Sequence, residues 1–150
     1  MGRVRAEVEV AALASVVEEL WYDTSRWPTF VDGLAHVAKV EGDWPRDGRV
    51  VWDARPGGRG RVIERVVAYE ARAGQTVAVE DERITGTQRL AFTPTDRGCR
   101  VRLELDYAVK DRRPLMAVVD LLFVRRPMGD ALRRTLVRLR REVDAADLVL

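Results

Sequence analysis

A chain of 150 residues, 47% hydrophobic and 33% charged, has the size of one domain, here 1–150, and buries roughly 68–70% of its unfolded surface on folding. Its single cysteine, Cys99, and single histidine, His36, exclude an intramolecular disulfide and a Cys/His zinc site; a reducing, cytoplasmic setting without metal or other cofactor is expected. Net charge is only +2, yet all but Lys39 and Lys110 of the 26 basic residues are arginine, a side chain suited to planar contacts with carboxylate or phosphate.

Residues 3–10 alternate, with Val4, Ala6, Val8 and Val10 against Arg3, Arg5, Glu7 and Glu9. That period of two marks a half-buried strand. The same charges keep the stretch from serving as the apolar centre of a signal peptide, so secretion is not expected. Over 12–22 the period changes, and Leu13, Val16, Val17, Leu20 and Trp21 share one helical face. Ser25 is placed to cap a second short helix through Trp27 and Phe30, with Pro28 in its first turn and Gly33 at its end.

Six further strands are predicted, over 34–41, 49–55, 60–71, 76–83, 86–94 and 99–110. Turn signals separate them, among them Asp47-Gly48, Pro56-Gly57-Gly58, Ala73-Gly74 and Asp96-Arg97-Gly98. Spacing this close leaves no room for parallel crossovers, so the sheet is expected to be antiparallel and the class α+β. Residues 114–144 read as helix, with Met128, Leu132, Leu136, Leu139 and Val143 in one arc and Arg133, Arg134, Arg138 and Arg141 opposite. Pro127 should kink or divide it. Leu115 to Val124 is apolar except for Asp120 and too short to span a bilayer. It suits a lid, a dimer patch or a peripheral membrane edge.

The passages Val8-Glu9-Val10, Val16-Val17-Glu18-Glu19-Leu20-Trp21-Tyr22-Asp23, Trp27-Pro28-Thr29-Phe30, Asp47-Gly48-Arg49-Val50-Val51-Trp52 and Leu132-Arg133-Arg134-Thr135-Leu136-Val137-Arg138-Leu139 follow one another in a familiar order. Together they resemble the START/Bet v 1-type helix-grip superfamily (SRPBCC), above all its bacterial polyketide cyclase/dehydrase and lipid-transport branch. The resemblance implies a seven-stranded antiparallel sheet wrapped around a long C-terminal helix, with two short helices between the first two strands. It also implies a cavity for an apolar small molecule, closed near Trp27 and Phe30. Fold alone does not assign function.

Alternation turns Trp52 inward on strand 49–55, Gln88, Leu90 and Phe92 inward on 86–94, and Leu105 and Tyr107 inward on 99–110. These side chains either line a pocket or simply fill the core. On 34–41, Lys39 and Glu41 share a face with Ala35 and Val37, which points His36 inward as a candidate acid/base group. Asp81 follows the register of Val77 and Val79 and would need a partner if buried. Strand 60–71 stays open: Val62, Glu64, Val66 and Ala68 compete with Ile63, Arg65, Val67 and Tyr69 for the inside, unless a bulge reconciles them.

Three functions are expected from this reading. The first is non-catalytic binding or transport of a hydrophobic small molecule, by a monomer or a homodimer. The second is a cyclase or dehydratase using His36, Glu64 or Asp81, which needs at least two of them at one ligand position. The third is a module binding an acidic partner through the arginine-rich helix, with nucleic acid disfavoured because no aromatic residues interleave the arginines. Pro56-Gly57-Gly58-Arg59-Gly60 lacks the ending and the following helix of a phosphate loop and reads as a hairpin turn.

Overall fold

The structure, a computed structural model, describes residues 1–110, 118 and 120–149, apart from the side chains of 121, 122 and 147–149. Strand β1 (Gly2–Val10) leads into helix α1 (Ala14–Tyr22), a 3-10 turn (Thr24–Arg26) and the short helix α2 (Trp27–Phe30). Six strands follow: β2 (Leu34–Glu41), β3 (Arg49–Ala54), β4 (Arg61–Glu70), β5 (Gly74–Glu80), β6 (Ile84–Thr95) and β7 (Gly98–Val109). A π-helical turn (Asp120–Arg125) then passes into the long helix α3 (Arg126–Val149).

The strands form one sheet in the order β1-β7-β6-β5-β4-β3-β2, with every neighbouring pair antiparallel. Strands β2 to β7 are a meander; the α1–α2 segment is the crossover that carries the chain from β1 to the opposite edge. Strand β7 shows how the two faces of the sheet divide. Its Cys99, Val101, Leu103, Leu105 and Tyr107 are buried on the concave side. Its other face forms cross-strand ion pairs, Arg100 with Glu9 at 2.7 Å and Asp106 with Arg3 and Arg89 at 2.6 Å each. The β1–β7 register runs unbroken from Gly2–Tyr107 to Val10–Cys99.

Helix α3 lies across this concave side, with Met128, Leu132, Leu136, Leu139 and Val143 buried, the arc expected from their spacing. The interruption expected at Pro127 is a change of helical register. Proline cannot donate a backbone hydrogen bond, and it stands where the wider π-helical turn gives way to the α-helix. The expected helix over 114–119 lies, except for Val118, outside the described residues. So do residues 115–117 and 119 of the lid, dimer or membrane surface expected over 115–124, with the side chains of 121 and 122; Val118 and Phe123 in that stretch are exposed.

Two expectations need correction. Ser25 does not cap the helix through Trp27 and Phe30, which has no side-chain cap; Asp23 caps the 3-10 turn before it, its carboxylate accepting from the Ser25 backbone N–H at 3.2 Å. On the arginine face of α3, Arg134 and Arg138 both reach Asp32 at 3.0 Å and clip α3 to the loop after α2. Strand β2 does not keep simple alternation. It is an edge strand with register shifts between Leu34 and His36 and between Val37 and Lys39, and with a partner on only one side it accommodates such bulges.

Candidate functional site

The ambiguity of strand β4 resolves through a bulge between Val66 and Ala68. Before it, Val62, Glu64 and Val66 face inward; after it, Val67 and Ala68 are exposed and Tyr69 packs on the core. Glu64 is therefore a buried carboxyl on the concave side, 8% exposed. Opposite it in the β3–β4 ladder, Val50 is its register partner, and two residues on Trp52 Nε1 donates a 2.6 Å hydrogen bond to Glu64 Oε2. Burial among apolar groups pushes the Glu64 pKa up; the Trp52 bond and the nearby Arg59 charge oppose that shift without cancelling it. Among the described residues, Oε1 takes no hydrogen bond.

Two hollows meet around Trp52. The outer one, about 330 Å³, opens between the β3–β4 and β5–β6 turns, the loop after α2 and the start of α3. Its walls include Trp52, Ile84, Val124 and Met128, with Arg59 and Asp81 on one side and Asp32 and Arg134 on another. The inner hollow, about 50 Å³, reaches Trp27, Glu64, Gln88 and Thr135. Asp32, Trp52, Arg59, Met128 and Ala131 line both, so they form the partition. The volume lies at the small end of the roughly 300–1,000 Å³ range of ligand pockets. It suits one or two rings or a short chain.

Polar groups around the mouth are held in place. Asp81, 5% exposed, accepts from the backbone N–H groups of Arg83 and Ile84 at 2.8 and 2.9 Å and from Arg59 Nε at 2.7 Å. The Arg59 guanidinium carbon stands 5.6 Å from the centroid of the Trp52 ring. The Asp32 backbone N–H donates to Thr135 Oγ1 at 2.9 Å. Gly33, at φ +78°, lets the chain turn from this contact into β2.

Of the residues expected to line a pocket, Trp27, Trp52 and Gln88 do so. Leu90, Phe92 and Leu105 are buried core residues that line neither hollow, and Phe30 packs against Trp21 with ring centroids 5.6 Å apart. Tyr107 is buried but directs its hydroxyl to Asp120 Oδ1 at 2.7 Å; burial first, and that bond second, push its pKa up to about 12. It is a latch between β7 and the π-helical turn, not a wall of either hollow. His36 is a correction: the β2 bulges turn it outward, its side chain is 65% exposed, and its Nε2 lies 3.0 Å from Asp53 Oδ2.

The three acid/base candidates are thus not assembled. His36 is on the outer surface, Asp81 is occupied by three donors, and only Glu64 faces the inner hollow with an unengaged oxygen. No group of three or more His, Cys, Asp or Glu side chains is placed to hold a metal among the described residues. Arg59, Asp32 and Thr135, which build the partition and its supports, escape a reading of the sequence. Asp32 and Arg59 are loop and turn residues with no periodicity to betray them; Thr135 falls on the buried arc of α3 with Leu132 and Leu139, a signal that could have found it.

A curved antiparallel sheet closed by a long C-terminal helix over an apolar hollow defines the helix-grip class. Residues 1–144 match the family described as polyketide cyclase / dehydrase and lipid transport, and the chain belongs to that family. No curated protein matches it. Among solved structures it is similar to a protein from Thermus thermophilus, at 22% identity and TM-score 0.81, over 97% of this chain and 99% of that one. A START superfamily protein from Mycobacterium smegmatis matches at 19% identity and TM-score 0.74, over 96% and 98%. Norcoclaurine synthase from Thalictrum flavum, a point mutant in complex with a transition state analogue, matches at 16% and 0.72, over 97% and 96%. At these identities the likeness is one of fold alone. No described helix is long and apolar enough to cross a membrane.

Proposed function

We propose that the protein binds or carries a hydrophobic small molecule in the hollow around Trp52. The observation that supports this best is the pocket of about 330 Å³, walled by Trp52, Ile84, Val124 and Met128 and open at one end. A ligand burying about 300 Å² of apolar surface at ~25 cal/mol/Å² gains roughly 7 kcal/mol before association costs, enough for useful affinity. Native mass spectrometry of freshly purified protein tests the reading. The expected result is a co-purified molecule of a few hundred daltons, lost on solvent extraction; only bare protein, with no uptake of a neutral apolar dye, contradicts it.

A second reading is an enzyme of the cyclase or dehydratase type, favoured by one observation: the buried, protonation-prone Glu64 carboxyl beside the inner hollow. In that reading Glu64 exchanges a proton with the bound molecule, and Arg59 polarises an oxygen of it. Glu64→Gln would then leave binding within about twofold and abolish turnover. An unchanged rate in the variant removes this reading.

A further inference from the structure

Resting on the pocket reading above, we propose that the ligand is an amphiphilic monocarboxylate whose carboxylate is taken by the Arg59 guanidinium at the wall shared by the two hollows. Arg59 is anchored through one edge only. Its Nε donates to Asp81 at 2.7 Å; among the described residues, Nη2 is buried with no hydrogen-bond partner and Nη1 makes none. A buried donor without an acceptor is costly; an anion drawn to the guanidinium through the open Nη1 edge, with a small turn of the side chain that presents Nη2, offsets that cost.

Charge points the same way. The outer hollow is lined by three arginines, Arg59, Arg83 and Arg134, against two aspartates, Asp32 and Asp81. Glu64, the remaining carboxyl nearby, is pushed by burial toward its neutral form, which lessens the repulsion it would otherwise exert. A carboxylate matches the planar fork of a single guanidinium; a phosphate dianion would need more cationic partners than this wall offers. The indole of Trp52 beneath Arg59 supplies the apolar floor for the adjoining ring or chain.

The test compares 1-naphthaleneacetate with its neutral amide, both displacing the neutral dye Nile red from the full-length protein. A hydrogen-bonded charge partner shifts affinity by roughly ten- to a hundredfold. The carboxylate should therefore bind at least tenfold tighter than the amide. Arg59→Gln should bring the carboxylate-to-amide affinity ratio to about one, whatever it does to the two affinities in common, and Arg59→Lys should keep part of the preference. Equal affinity for both probes in the unaltered protein overturns the proposal, as does dye displaced by neither; both leave the apolar pocket standing. Failure of Nile red itself to bind removes the pocket reading and the proposal with it. Should Arg59→Gln fail to fold, the carboxylate-to-amide ratio of the unaltered protein alone decides the matter.

Discussion

Glu64 and Trp52 are where residue chemistry bears most directly on the site. Glu64 ionises near 4.5 when exposed, and burial raises that value in the folded protein. Between the unfolded and the folded pKa the native state holds the extra proton, so stability falls as pH rises through that window. Glu64→Gln keeps an acceptor for Trp52 Nε1 and abolishes the ionisation. Its melting temperature should exceed that of the parent at pH 7, with the gap closing by pH 4, as thermal melts across pH will report; a lower value at pH 7 would mean that the ionised carboxylate is stabilising. Trp52 is 2% exposed, and Trp52→Ala should cost about 3–5 kcal/mol in denaturant unfolding. Asp81→Ala strands two backbone N–H donors and the Arg59 Nε, at about 1–3 kcal/mol for each buried group left unpaired; urea titration measures it.

The elements differ in how much of them is readable from the chain. Strands β1 and β7 alternate because each has one face on the core and one bearing paired charges, so which side chains face inward follows from the sequence alone. In β4 both faces carry valines and charges, and only the bulge after Val66 decides that Glu64 goes in. His36 departs from its expected inward place because an edge strand is free to bulge, and no periodic rule survives two register shifts in eight residues. Arg59 is invisible to periodicity for a different reason: its orientation is set by Asp81, 22 positions away. The loop after α2 and helix α3 are joined at the pocket mouth by Asp32 and Thr135. Thr135, 5% exposed, accepts the Asp32 N–H, so Thr135→Val should cost about 1–3 kcal/mol. Hydrogen exchange should quicken at Asp32 and Gly33 while β7 stays protected; uniform quickening would place the effect elsewhere.

At the scale of the whole molecule, one crossover lets the sheet begin and end at opposite edges and leaves its concave face for a single long helix. A core built that way has a thick apolar lining, and a modest withdrawal of side chains near the β3–β4 turn is enough to leave a hollow. The antiparallel strands and the apolar arc of α3 are therefore legible from periodicity, and their helix-grip arrangement from the family resemblance, while the dimensions of the hollow depend on which side chains stop short. Ala131 is the small residue lining both compartments. Saturation binding of a neutral fluorescent dye to the parent protein and to Ala131→Phe is the most direct measurement of whether that space receives ligands. Saturable one-to-one binding, weakened at least tenfold by the phenyl group in a variant that still melts cooperatively, is the predicted result. Dye that does not saturate, or that binds both proteins alike, would contradict it.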